Sequence, residues 1–314
     1  MPHNRHPLKL NTLIKMSLLV LCSTSTGLYT KFSYGFKALP NALTDQALRP
    51  SLIMETGVRQ KAKDSHYHTK VGLNLHKVEL KNALFSLSYE QFDLAWDQLN
   101  HPDLSGVAQP IDTLERWRGH LRLPYRIDNQ RLWLAEIALA NTIEQHAKTS
   151  LSYEGFILYS QARNLSKTDF DSWQLGLFIQ QSPVETLVLP IIELTFNLNN
   201  PHKKGFYGHI GFPKTQLGYH FNPVWQSEFE LIYYQTTAGL RDTNPLLPNG
   251  YAQLKSWRNE WKTTYALNAS IDIHFSIKHT LTREWLRYDH TKKQTGRSDL
   301  ENTLGYGIGI HWRL

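Results

Sequence analysis

Apolar and polar residues alternate one by one along most of this chain, from about residue 49 to its last residue. Such a period of two puts apolar side chains on one face of an extended strand and polar ones on the other. In the final segment Leu304, Tyr306, Ile308, Ile310, Trp312 and Leu314 alternate with Gly305, Gly307, Gly309, His311 and Arg313. Ile271, Ile273, Phe275 and Ile277 alternate in the same way with Asp272, His274, Ser276 and Lys278, and Trp173, Leu175, Leu177 and Ile179 with Gln174, Gly176 and Gln180. No stretch of comparable length holds a helical period. The pattern predicts an all-β body with strands near 49–60, 67–80, 83–96, 115–127, 131–144, 149–163, 170–181, 184–198, 214–221, 225–237, 251–267, 270–288 and 302–314. Closure requires an even number, and 214–221 is the weakest member, so about twelve strands are expected, within a range of about 10–14. The phase slips between Leu75 and Val78 and between Tyr89 and Phe92, which predicts bulges or misplaced turns there.

Strand length separates two all-β architectures. Strands of soluble sandwiches run about five or six residues, whereas a tilted strand crossing a bilayer needs about nine to eleven. Several segments reach the longer figure unbroken. Tight turns at Lys81-Asn82, Asp128-Asn129 and Ser182-Pro183 contrast with polar stretches around 97–113, 239–250 and 289–300, the expected signature of short periplasmic turns and longer outer loops. All nine tryptophans lie on the apolar parity of their segments. Trp117, Trp133, Trp173, Trp225, Trp257, Trp261, Trp285 and Trp312 are therefore expected in aromatic girdles at the two lipid–water boundaries. The expectation is one antiparallel transmembrane β-barrel over 49–314. The competing reading, a periplasmic β-sandwich binding protein, would pack the same rings in a dry core.

Composition agrees with a large ordered body. Aromatics make up 12% and charged residues 19% of the 314 residues, which fits disorder, collagen and coiled coil badly. The mean hydropathy of -0.43 is compatible with strands that turn one face to a wet interior. The net charge of +7 is spread along the chain without a dense basic segment, which argues against a nucleic-acid partner.

The start of the chain reads as an address. Arg5, Lys9 and Lys15 precede a short apolar run from Met16 to Leu21, which fades into Ser23, Thr24, Ser25, Thr26 and Gly27. This is the order of a secretory signal, assigned to 1–35 with cleavage near Gly27 or Gly35, followed by a periplasmic segment over 36–48. A short membrane anchor or a chance apolar run are the alternatives. Cys22, the one cysteine, falls inside the removable segment, so the mature chain is expected to have no disulfide or thiolate site. Leu21 before it argues against lipidation.

A signal, long alternating strands and a closing strand that runs to the last residue together resemble bacterial outer-membrane β-barrel proteins. The resemblance implies the outer membrane of a Gram-negative bacterium, contact with outer-membrane lipid and lipopolysaccharide, and recognition of the C-terminal strand by the assembly machinery. Ile310, Trp312 and Leu314 carry the alternation of that strand, with Leu314 in place of the usual terminal aromatic. Gly211-Phe212-Pro213, Leu217-Gly218-Tyr219 and Trp225 resemble an uncharacterised family of outer-membrane β-barrels. Neither resemblance brings a substrate, a cofactor or a catalytic residue.

Candidate chemistry sits on the polar faces. Arg116, Arg118, His120, Arg122 and Arg126 share one parity, opposite Trp117, Leu121, Leu123 and Tyr125. Arg on the lipid face costs about 2 to 4 kcal/mol at the midplane, so this row is assigned to the lumen. It either attracts anions, as charged selectivity rings do, or pairs with Glu228, Glu230, Asp272 and Glu284 and plugs the interior. The functional expectation is accordingly a narrow channel or a lumen-plugged structural barrel. His274 and Ser276 form a His-x-Ser pair similar to that of some outer-membrane lipid hydrolases, with Asp272 or Glu284 as orienter, and give an enzymatic alternative. His66 and His68 share a face but lack acid or Cys partners at ligand spacing, so no metal is assigned. No cofactor-binding motif is present.

Overall fold

The structure is a computed structural model that describes residues 49–64, 70–97, 111–128, 130–162, 172–196 and 204–314. The expected signal segment with Cys22, the 36–48 segment, and His66 and His68 lie outside the described residues. The first seven strands are β1 (Ser51–Lys63), β2 (Lys70–Lys81), β3 (Phe85–Asp97), β4 (Thr113–Arg126), β5 (Arg131–Glu144), β6 (Leu151–Ala162) and β7 (Ser172–Gln181). Then come β8 (Thr186–Phe196), β9 (Gly205–Phe212), β10 (Lys214–Asn222), β11 (Trp225–Gly239), β12 (Tyr251–Ala266), β13 (Ile271–Tyr288), β14 (Gln294–Asp299) and β15 (Leu304–Arg313).

Sequential strands from β1 to β13 pair antiparallel, and β15 bridges β13 to β1, closing the sheet into a barrel. β15 covers Ile271–His279 of β13, and β14 covers Glu284–Tyr288 of the same strand edge. The two are pieces of one wall position, so the barrel has fourteen strands rather than about twelve. The 214–221 segment is genuine, as β10. The strand that sequence patterning overlooks is β9, where three glycines in eight residues blur the alternation and one residue, Pro213, makes the turn to β10.

One barrel end carries Ser51 and Arg313; this near end is turned by Asx residues. Asn82 Oδ1 accepts the N–H groups of Leu84 and Phe85 at 2.8 and 2.9 Å, and Asp128 Oδ1 those of Gln130 and Arg131, both at 2.8 Å. Asn222 and Asn268 do the same for Val224 and Trp225 and for Ser270 and Ile271. A side-chain oxygen three residues before the first residue of the returning strand replaces a backbone acceptor and fixes hairpin register. The Asp128 carboxylate is held below the usual range chiefly by the Arg131 side chain and then by the Gln130 N–H. The tight turn at Ser182-Pro183 belongs to the far end, together with 240–250, so short turns are not confined to one end.

Pairing between β2 and β3 is unbroken from Lys70↔Asp97 to Lys81↔Ser86, so the phase slips there are not bulges. They mark an exchange of faces. Towards the near end Val78, Leu80, Leu87 and Tyr89 point out; beyond Tyr89 the outward residues are Asn74, His76, Gln91 and Asp93, and the inward ones Leu73, Leu75, Phe92 and Leu94. The far end therefore rises into water and fills its own interior with Ala62, Val71, Trp96, Ile111, Leu240, Ala252, Trp285 and Leu300. Trp96 and Trp285 lie 5.2 Å apart, and Trp96 Nε1 donates to the Ile111 carbonyl at 2.6 Å.

A real bulge lies in β13. Trp257 pairs with Thr282 and Arg258 with Thr280, leaving Leu281 over, and the parity of β13 inverts beyond it. Trp285, expected in an outer girdle, consequently turns inward and is 7% exposed. Glu284, expected in the lumen, turns outward to Arg297, 2.8 Å away.

Candidate functional site

The barrel is inside-out relative to a soluble protein. Leu121, Leu123, Ile137, Leu139, Leu175, Leu177, Ile192, Leu194, Phe229 and Ile308 are exposed on the outer wall, while Ser88, Glu136, Glu154, Gln180, Glu228 and Lys278 are buried within. Backbone that crosses a bilayer must satisfy its own hydrogen bonds, which a closed sheet does. Rings cluster at two levels. Trp117/Tyr125, Trp225/Tyr233 and Trp257/Tyr265 are each eight positions apart on one strand. Eight residues span about 27 Å of strand, or roughly 20 Å of height at a tilt of about 40°, close to the apolar band of an outer-membrane barrel. Trp133 and Trp173 flank Tyr159 at 5.3 and 5.5 Å at the near-end level, where Trp312 also lies, and Trp261 sits between the levels. These outward faces place the chain in the outer membrane as a β-barrel.

Within the lumen, the arginine row is matched by acids on neighbouring strands. Arg116 lies 3.7 Å from Glu90 on β3 and 3.6 Å from Glu154 on β6. Arg118 pairs with the other oxygen of Glu154. Glu136 on β5 takes Arg122 at 2.5 Å and His120 at 2.8 Å. Arg126 caps its own turn, donating to the Asp128 carbonyl at 2.9 Å. None of these partners is among the four acids singled out from sequence.

Those four have other partners. Glu228 pairs with Lys262 and accepts from Gln216 at 2.8 Å and the Tyr207 hydroxyl at 3.3 Å. Glu230 pairs with Lys214 at 2.5 Å. Asp272 pairs with Arg313 and, at 3.3 Å, with His311. Asp272 is therefore not aimed at His274. His274 and Ser276 do share the lumen face of β13, but both are buried across Gly309 and Gly307 of β15, and Ser276 is 0% exposed. A buried pair behind a strand has no path to lipid acyl chains, so the placement gives no support to lipid hydrolysis. Among the described residues, no group of three or more His, Cys, Asp or Glu could hold a metal ion.

One feature of the lumen has no counterpart in the alternation. Pairing of β10 with β11 ends at Lys214↔Ile232, with one more bond from the Tyr233 N–H to the Pro213 carbonyl at 3.2 Å, so Tyr234–Gly239 runs beyond that neighbour while staying paired with β12 to Gly239↔Tyr251. That stretch meets β4, β5 and β7 on the inner side of the barrel. Tyr234 accepts a hydrogen bond from Arg116 of β4 at 2.8 Å, and Gly239 pairs with Ile143 of β5 in parallel. Thr236 and Thr142 hydroxyls are 3.5 Å apart, and Gln180 of β7 donates to the Gln235 carbonyl at 3.4 Å. The turn after β7 joins in, since Glu185 holds Lys255 at 2.7 Å and accepts from Gln235 at 3.4 Å.

No protein-family model and no curated protein sequence matches the chain. Among solved structures it is similar to the KdgM porin (8% identity, TM-score 0.37, covering 84% of this chain and 99% of that one). It is also similar to the NanC porin (10%, 0.38, covering 84% and 100%) and to an outer-membrane channel from Pseudomonas putida F1 (6%, 0.41, covering 84% and 96%).

Proposed function

We propose that this protein is a narrow outer-membrane channel whose lumen is held plugged by the far third of β11. The observation that carries the reading is the bond from Arg116 to Tyr234, which joins two strands seven wall positions apart in either direction. A circular barrel of this strand number measures about 28 Å between opposite strand axes, more than an arginine and a tyrosine reach together. Beyond Tyr233, β11, still paired with β12 to Gly239↔Tyr251, lies inside that circle, and the space it takes is lost to the pore. The apolar cluster around Trp96 and Trp285, which includes Leu240 directly after β11, fills the same end. In this reading the arginine row does not set anion preference, because Glu90, Glu136 and Glu154 balance it. Lipopolysaccharide contact at the far-end ring level and recognition of β15 by the assembly machinery belong to the same proposal.

Planar-bilayer recording tests it. Wild-type protein is expected to stay closed with rare small openings, and Tyr234→Phe, which removes the acceptor for Arg116, to open more often. Steady wild-type conductance that Tyr234→Phe leaves unchanged would refute the plug.

A further inference from the structure

Three other arginines behave differently from the row. Arg59 of β1, Arg258 of β12 and Arg283 of β13 gather around the start of β15: Arg59 pairs with Gly305, Arg258 pairs with Thr280, whose N–H donates to the Thr303 carbonyl, and Arg283 donates to the Thr303 hydroxyl. Among the described residues none of the three has a carboxylate within ion-pair distance. Two acids within electrostatic range of Arg59 or Arg258 have lysine partners of their own, Glu230 with Lys214 at 2.5 Å and Glu260 with Lys278 at 3.6 Å. Arg258 lies over the Tyr234 ring, 5.6 Å from its centroid, and its Nε is buried without an acceptor. Arg283, 7% exposed, donates to the Glu301 carbonyl and the Thr303 hydroxyl, and its Nε is likewise buried without an acceptor.

The space around them is built. A Cβ on Gly305 would come 2.7 Å from Arg59 Cγ, so the glycine lets the Arg59 stem lie flat across β15 with its head in the lumen. Buried charges are ordinarily paired, and like charges brought together raise the cost of burial. Guanidinium groups present forked N–H donors that match an oxyanion.

We infer that Arg59, Arg258 and Arg283 form a binding site for one oxyanion, a phosphate, sulfate or carboxylate group, at the level where the wet lumen meets the apolar far end. The inference goes beyond the plug and does not depend on conduction.

Isothermal titration calorimetry on the full chain in detergent, with inorganic phosphate at constant ionic strength, tests binding without transport. Wild type is expected to take up one phosphate per barrel and to unfold at a higher temperature in phosphate than in chloride. Arg59→Gln and Arg258→Gln are expected to weaken binding by about tenfold or more, while Arg122→Gln in the paired row binds as wild type. Heat-dependent gel mobility verifies that each variant is a closed barrel. The site is refuted if wild type gives neither heat nor thermal shift. It is also refuted if Arg59→Gln raises the unfolding temperature equally in phosphate and chloride, the outcome of simple charge repulsion, or if Arg122→Gln abolishes binding while Arg59→Gln does not.

Discussion

The Arg116 guanidinium reaches Tyr234 across the barrel at 2.8 Å, and Arg116 is only 4% exposed. The same guanidinium faces Glu90 and Glu154, so β3, β4, β6 and β11 meet at one cation. Removing one partner of a buried charge network strands the others, typically at about 3 to 5 kcal/mol. Removing one neutral hydroxyl acceptor costs only about 1 kcal/mol. Arg116→Gln should therefore lower the temperature at which the barrel loses its compact gel mobility far more than Tyr234→Phe does. Equal shifts would mean that Arg116 is not the hub.

Tyr207 lies flat over Gly218, its directly paired residue on β10, and stacks on His220 at 4.2 Å. A Cβ at 218 would overlap the Tyr207 ring, and no backbone atom is among the closest obstacles. Gly218→Ala should destabilise the barrel and Tyr207→Ala combined with it should recover part of the loss. A double variant no better than the sum of the single ones would deny the coupling.

Trp285 fills the far-end interior against Trp96 rather than a lipid boundary. Trp285→Ala should cost about 3 to 5 kcal/mol by cavity formation, whereas Trp261→Ala, on the lipid face, should cost clearly less. Chemical denaturation of refolded protein in lipid vesicles compares the two, and a reversed order would return Trp285 to the outer wall.

The near-end turn at Asp128 supplies a pH test. Its carboxyl is depressed by Arg131 and by turn N–H groups, so its contribution is fully present above the unfolded value of about 3.9 and is lost as pH falls through the lower folded value. Asp128→Asn keeps the accepting oxygen but not the charge. The refolding yields of wild type and variant should differ at neutral pH and converge in acid, once pH has fallen through the depressed folded value. A gap that persists in acid would assign the effect to something other than ionisation.

Membrane class, the strand faces and most strand positions were legible because lipid outside and water inside impose strict alternation on each strand. Register explains what was not. Arg122 and Glu136 are partners because the turn at Asp128 pairs residues symmetrically about it, a relation that hairpin arithmetic could have supplied. Glu284 and Trp285 were misplaced because the one-residue bulge at Leu281 inverts parity with no mark in the pattern. The slips at Leu75–Val78 and Tyr89–Phe92 were real signals, but of a change of surroundings along a regular ladder. The inward course of β11 depends on β10 being shorter than its neighbour, and Arg59, Arg258 and Arg283 meet only after closure; neither is a property of any one segment.

The most direct test of that inward course uses the 3.5 Å approach of the Thr142 and Thr236 hydroxyls on β5 and β11. With Cys22, the one native cysteine, replaced by Ser, a Thr142→Cys/Thr236→Cys variant is oxidised in isolated outer membranes and run unheated and heated on a denaturing gel. The plugged lumen predicts rapid disulfide formation in the folded barrel, read as a mobility shift that reductant reverses. Folded barrels whose two cysteines stay unlinked under oxidant would contradict it.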